Sequence, residues 1–159
     1  MIDLPPHGLE LALVSPRIPQ NVGNVARTCV ATGTRLHLVH PLGFVLNDRR
    51  ARRAGLDYWP RLKLCEHDGL NAFLAETSGR RRWWFDSAGT VGLFDANFAD
   101  GDLLVLGSET RGLPPGLLAA DASNAVRIPQ APGERCLNLA TSAGIALYTA
   151  LSRVAMAGR

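Results

Sequence analysis

Three segments carry residues that can bind or orient a polar ligand. In Pro19-Gln20-Asn21-Val22-Gly23-Asn24-Val25-Ala26-Arg27-Thr28, helical spacing sets Asn24, Arg27 and Thr28 on one face, with Asn21 at the helix mouth. One arginine and two asparagines there suit a phosphate or a ribose; a capped helix with a surface arginine is the plainer reading. In Leu103-Leu104-Val105-Leu106-Gly107-Ser108-Glu109-Thr110-Arg111-Gly112-Leu113-Pro114, four apolar residues read as a buried strand that stops at a glycine. The glycines let the backbone approach a ligand closely, Glu109 and Arg111 add opposite charges, and Pro114 suits a first helical turn. The third segment, Arg127-Ile128-Pro129-Gln130 and then Arg135-Cys136-Leu137-Asn138-Leu139-Ala140, leads from a strand through a proline-containing loop into an apolar helix. Backbone groups of such a loop are free to bind a ligand, and Asn138 can contact it or merely cap the helix.

Two familiar phosphate-binding motifs are excluded. A P-loop needs Lys and then Ser or Thr after its second glycine, where this chain has Leu113 and Pro114. The dinucleotide fingerprint Gly-x-Gly-x-x-Gly is absent.

The elements that must hold these residues alternate in type. Strands are predicted at 11–14, 35–39, 62–65, 82–85, 103–106 and 125–128. Helices are predicted from an Asn21 cap to about 32, at 48–54, from an Asp68 cap to about 77, at 114–119 and at 137–155. This order predicts an α/β fold with a mainly parallel sheet flanked by helices. With 159 residues and no linker or repeat, a single domain over 1–159 is expected. Ligands of open α/β sheets bind beyond the carboxyl ends of the strands, where Gly107 falls. Trp83 and Trp84 abut a strand and suit the core. The last helix is apolar nearly all round. Asn138, Thr141, Ser142, Gly144 and Tyr148 make it a poor membrane span, so it must be covered on several sides, and a homodimer interface is the expected supplement.

Composition narrows the class. Apolar content of 47% and charged content of 19% are globular values and argue against disorder. Residues 1–10 lack the basic and apolar regions of a signal peptide, and with three scattered cysteines this points to a reducing cytoplasm. Cys29, Cys65 and Cys136 make no CxxC pair, so neither a metal site nor a disulfide framework is expected. Cys136 reads as a small buried residue rather than a reactive thiol. Sixteen arginines stand against one lysine, which puts the positive charge in forks that match phosphate. Arg49, Arg50, Arg52 and Arg53 form one cluster and Arg80, Arg81 and Arg82 another; each is a nucleic-acid footprint or a solvated basic face.

In their order, the three segments resemble the SPOUT RNA methyltransferases. The first is similar to that superfamily's Asn-x-Gly-x-x-x-Arg element, the second to its Gly-x-Glu-x-x-Gly element and the third to its Ile-Pro…Leu-Asn loop. The stretch Asp48-Arg49-Arg50-Ala51-Arg52-Arg53-Ala54-Gly55-Leu56-Asp57-Tyr58 resembles the minimal wobble-position tRNA 2′-O-methyltransferases of that superfamily, the TrmL group. The match spans almost the whole chain, with no added RNA-binding domain.

The resemblance implies an α/β domain with a C-terminal trefoil knot that holds S-adenosylmethionine, largely through backbone groups. The corresponding positions are Phe85, Gly107, Ile128, Cys136 and Leu137. It implies transfer of a methyl group to a ribose 2′-hydroxyl at the wobble nucleotide of a tRNA anticodon stem-loop, by a cytoplasmic homodimer that needs no metal or membrane. Arg27, Asn21, Glu109 and Asn138 match the active-site elements. Guanidinium is a poor base, so Arg27 either activates the hydroxyl or anchors a phosphate and stabilises alkoxide charge. Glu109 is expected to pair with an arginine and hold the site. Arg17, Arg49, Arg50, Arg52, Arg53, Arg111 and Tyr148 are the expected RNA contacts, with Tyr58 and Trp59 as further stacking candidates. Cys136 and Ala140 stand where many relatives have serine. Two other readings remain: a SPOUT enzyme acting elsewhere on tRNA or on rRNA, and an RNA-binding relative without catalysis.

Overall fold

A computed structural model of the chain describes residues 3–47, 49 and 56–158. Seven strands form one sheet: β1 (Glu10–Val14), β2 (Arg35–Val39), β3 (Leu64–His67), β4 (Arg82–Phe85), β5 (Val91–Gly92), β6 (Leu103–Leu106) and β7 (Ala125–Arg127). Their order is β3-β2-β1-β6-β4-β7-β5, and every pairing is parallel. The helices with described limits are α1 (Pro19–Thr32), α2 (Leu70–Glu76), α3 (Leu117–Ala120) and α4 (Leu139–Ala157), with short 3-10 turns at Trp59–Arg61 and Ala122–Asn124.

The central strands are continuous apolar runs because both sheet faces are covered. Alternate side chains enter two separate cores. Leu11, Leu13, Leu36, Leu38, Trp83, Phe85, Leu104 and Leu106 face α1 and α4. Ala12, Val14, Val39, Trp84, Leu103 and Val105 face Phe73 of α2 and partly buried Leu117 and Leu118 of α3. Each fully buried leucine contributes roughly 1.5–3 kcal/mol relative to exposure, so the sheet register is strongly fixed. The expected core role of Trp83 and Trp84 holds at 2% and 3% exposure.

Several predicted boundaries shift. The third strand is Leu64–His67 rather than 62–65, because Leu62 ends the turn Trp59–Arg61. Gly69, not Asp68, occupies the cap position of α2. The helix predicted at 114–119 is only Leu117–Ala120, begun after a left-handed Gly116. Strand β5 has two residues, too short for a sequence pattern. The predicted helix at 48–54 falls, apart from Arg49, outside the described residues.

The cluster Arg80–Arg82 is tied into the fold by internal bonds. Arg80 pairs with Glu10 at 2.9 Å. Arg81 grips Asp102 through two hydrogen bonds of 2.9 and 2.7 Å. Arg82 donates to Thr77 and to the Leu74 carbonyl. All three sit at the amino end of β4, opposite the carboxyl ends where the second segment begins its loop.

Candidate active site

Helix α1 begins with Pro19 after a cap position filled by Ile18, which has no side-chain acceptor. A helix start needs acceptors for its free N–H groups and favours negative charge. Glu109 supplies both from the loop after β6. Its carboxylate accepts the Arg17 N–H at 2.7 Å, the Ile18 N–H at 3.0 Å and the Asn21 side-chain amide at 3.1 Å. Asn21 therefore is not the cap expected from sequence; it lies inside the first turn, 5% exposed, with its amide turned to Glu109.

The other end of that amide continues the chain of bonds. Asn138 donates to Asn21 Oδ1 at 3.0 Å, and its own Oδ1 accepts the Ala140 and Thr141 N–H groups at 2.9 and 3.2 Å. Asn138 thus caps α4 and also fastens it to α1. Helix α4 begins at Leu139 rather than 137 for this reason. All three segments meet in one relay, Glu109–Asn21–Asn138.

Burial pushes the Glu109 carboxyl up, but hydrogen bonds from the Arg17 N–H, its own N–H, the Asn21 amide and the Ile18 N–H outweigh it and hold the group below its ordinary value. An ionised carboxylate so satisfied is a weak proton acceptor. Its partners are backbone and an amide; among the described residues it forms no ion pair with an arginine side chain, contrary to the sequence expectation.

A cavity of about 520 Å³ opens beside the relay. Phe85, Gly107, Ile128, Cys136 and Leu137 all line it, together with Asn21, Glu109, Arg111 and Asn138. Asp86, Ser108 and Ser142 also line it and were not singled out in the sequence. Asp86 follows β4 as Gly107 follows β6, so the strand-end rule applied to every strand would have found it. Cys136 is exposed at the cavity rather than buried. The loop after β6 closes on itself through paired bonds between Ser108 and Gly112 of 3.1 and 3.0 Å. A Cβ added to Gly107 would stand 2.0 Å from the Gly112 carbonyl carbon. Glycine is required there because two backbones touch.

The remaining site residues lie elsewhere. Arg27 is exposed and is not part of the cavity lining. Its guanidinium carbon stands 5.8 Å from the centre of the Tyr58 ring, and Tyr58 donates to the Gly23 carbonyl at 2.7 Å. Tyr58 and Trp59 are 6% and 9% exposed, so they support α1 and do not offer faces for stacking bases. Tyr148 is 52% exposed on α4. Arg17, Arg49 and Arg111 are exposed; Arg50, Arg52 and Arg53 lie outside the described residues.

Helix α4 is long and apolar enough to cross a membrane by those criteria alone. One face, with Leu139, Ala143, Ala146, Leu147, Ala150 and Leu151, is buried in the chain's own core. Thr141, Tyr148, Ser152 and Met156 form an exposed face.

Comparison with known proteins places this architecture. Residues 8–148 match the model of the SpoU rRNA Methylase family. A tRNA (cytidine(34)-2'-O)-methyltransferase of Saccharophagus degradans is 41% identical over 93% of this chain and 97% of its own length. A solved structure that gives structural insights into the 2-OH methylation of C/U34 on tRNA is 46% identical, with a TM-score of 0.88 over 98% of this chain and 100% of that one. An AdoMet-bound rRNA methyltransferase from Sinorhizobium meliloti is 27% identical, with a TM-score of 0.79 over 93% of this chain and 57% of that one.

Proposed function

The chain belongs to the SpoU rRNA methylase family, and from that premise we propose that it methylates the ribose 2′-hydroxyl of the wobble nucleotide, cytidine or modified uridine, in tRNA. The observation that carries this reading is its near full-length similarity to enzymes named for methylation at tRNA position 34, joined to a cavity built by all three of its polar segments. The same proposal includes a single knotted domain acting in the cytoplasm as a homodimer. The single sheet, the convergence of three loops and the uncovered face of α4 support it.

The cavity fits S-adenosylmethionine. Gly107 leaves the two backbones in contact, and Phe85, Ile128, Cys136 and Leu137 give the cavity an apolar side for a flat base. When bound, the cofactor supplies an electrophilic methyl group on a sulfonium. This chain's residues must then place the ribose oxygen in line with it, at roughly 3 Å. Glu109 and Asn138 act by ordering the loop through Asn21 rather than by taking the proton. Arg27 lies outside the cavity of its own chain, so its part in the chemical step is to reach RNA, or a cavity across the subunit interface. There its planar fork can hold a phosphate and stabilise charge developing on the 2′-oxygen. Arg17, Arg49, Arg50, Arg52, Arg53 and Arg111 would hold the RNA backbone, and Tyr148 would contact RNA or the partner subunit.

The test is methylation of an anticodon stem-loop and of full-length tRNA with labelled S-adenosylmethionine, followed by mapping of the modified ribose. Label at the wobble ribose is the expected result. Label at another tRNA position, or in rRNA alone, would replace the substrate; binding of RNA without methyl transfer would replace the enzyme with an RNA-binding relative.

A further inference from the structure

A second set of chemistry-bearing groups lies at the far edge of the sheet, on the face away from α1 and α4. His37 of β2 and Cys65 and His67 of β3 bring their ligand atoms within 4.8 Å of one another. The spacing His–one strand over–Cys-x-His is legible only once the register pairs His37 with Cys65. A search for CxxC pairs could not find it.

The rings are oriented in an unusual way. His37 Nδ1 and His67 Nε2 face each other at 2.9 Å. The outer nitrogens face carboxylates: His37 Nε2 lies 2.6 Å from Glu10, and His67 Nδ1 lies 2.8 Å from Glu76. The second contact is at ion-pair distance, yet its angle leaves His67 Nδ1 without a well-aligned hydrogen bond. A neutral histidine has one N–H. With the His37 proton on Nε2, facing Glu10, its Nδ1 is a bare lone pair aimed at His67 Nε2. The gap is then closed either by the His67 Nε2 proton, which leaves His67 Nδ1 unpaired beside Glu76, or by a metal ion that both rings ligate.

We propose that His37 Nδ1, His67 Nε2 and Cys65 Sγ form a binding site for a zinc-class divalent cation that fastens edge strand β3 to β2. Two imidazoles and one thiolate suit a borderline-soft ion, with water in the fourth position. Both histidines have a carboxylate behind them, the arrangement that orients metal-binding imidazoles and raises their basicity. Phe73, fully buried, packs edge-on against both rings, with centroids 6.1 and 5.3 Å away, and so fixes their tilt. Nitrogens bound tetrahedrally at about 2.0–2.1 Å stand about 3.3–3.4 Å apart. The rings must therefore part by only a few tenths of an ångström. Entry is open on one side, since the Glu76 side chain is 58% exposed and Cys65 is half-buried. Loading releases the thiol proton to solvent and moves the His67 proton from Nε2 to Nδ1, where it faces Glu76.

The experiment is titration of the chelator-stripped protein with Zn²⁺ against a chromophoric chelator, and separately with Co²⁺. One equivalent should bind. The cobalt form should show a thiolate-to-metal charge-transfer band, and zinc should raise the melting temperature. Cys65→Ser, a near-isosteric change, should abolish that band and weaken zinc binding at least tenfold. His37→Gln should do the same to zinc affinity. Cys136→Ser, which alters the exposed thiol of the cavity, should leave both intact. Absence of binding above background would mean that a proton fills the gap. Binding lost with Cys136→Ser but kept with Cys65→Ser would move the ion to the cavity. Either result overturns the proposal.

Discussion

The side-chain amide of Asn21 donates to Glu109 across 88 residues of sequence at 3.1 Å, and that bond decides what the carboxylate can do. A glutamate held by one amide and by backbone N–H groups is an anchor for the start of α1. A carboxylate so satisfied is a weak proton acceptor.

The first expected outcome is a pH dependence of stability. Folding lowers the Glu109 carboxyl below its ordinary value. Its stabilising contribution is therefore complete above the unfolded carboxylate value, near 4.3, and is lost as pH falls below it through the folded value. Glu109→Gln should cost about 1–2 kcal/mol at neutral pH, toward the low side for charge-assisted bonds because the carboxylate is partly solvated. Denaturant unfolding of both proteins from pH 7 to pH 3 should show the difference shrinking with acid. A difference that stays constant would remove the ionised anchor from the account.

Gly107→Ala should separate folding from cofactor binding. The new Cβ would meet the Gly112–Leu113 peptide, so the loop must open. Overpacking of this kind costs roughly 1–3 kcal/mol. In the unaltered protein, S-adenosylmethionine at a hundredfold excess over Kd should add about 2.7 kcal/mol of stability. Thermal melts should show this shift, and the variant should fold at lower temperature and lose it. A full ligand shift in Gly107→Ala would place the cofactor elsewhere.

Arg27 should matter to turnover more than to cofactor affinity, because it lies outside the cavity. Arg27→Lys keeps the charge but loses the fork. Single-turnover methylation at saturating cofactor should fall by about two orders of magnitude, equivalent to about 2.7 kcal/mol. Retention of most activity in lysine would reduce the requirement to charge alone, and near-normal rates in Arg27→Ala would end its catalytic assignment.

Helix α4 offers a paired test of the homodimer. Leu147 belongs to the helix expected at the interface, but it is fully buried within its own chain. Leu147→Glu should therefore unfold the subunit, since a buried unpaired charge costs about 3 kcal/mol or more. Tyr148→Glu combined with Met156→Glu changes only the exposed face, at 52% and 65% exposure. Sedimentation should find a folded monomer for that pair and a dimer for the unaltered protein. A dimer that survives both changes would put the interface elsewhere.

The strands with long apolar runs were legible because burial on both faces leaves a plain pattern, and β2, β4 and β6 fall at their predicted limits. Helix starts were less so. Asn21 has the composition of a cap, yet the cap of α1 comes from Glu109, and no local pattern encodes a contact made 91 residues away. The five cavity positions came from the family resemblance and not from any local pattern. The aromatic roles did not, because exposure of Tyr58 and Trp59 depends on how the turn Trp59–Arg61 folds against α1. Arginine runs were ambiguous by nature: Arg80 and Arg81 resolve into pairs with Glu10 and Asp102 only when the amino ends of the strands are seen together.

The relay also sets a timetable. Asn21 and Asn138 are 117 residues apart, and a chain made at about 5–20 residues per second keeps them waiting for roughly 6–23 s. Throughout that interval the partner of the Asn21 side-chain carbonyl has not been made. The cavity is thus incomplete until Asn138 and the residues around it are made, and ribosome-held chains ending before Asn138 should not retain S-adenosylmethionine.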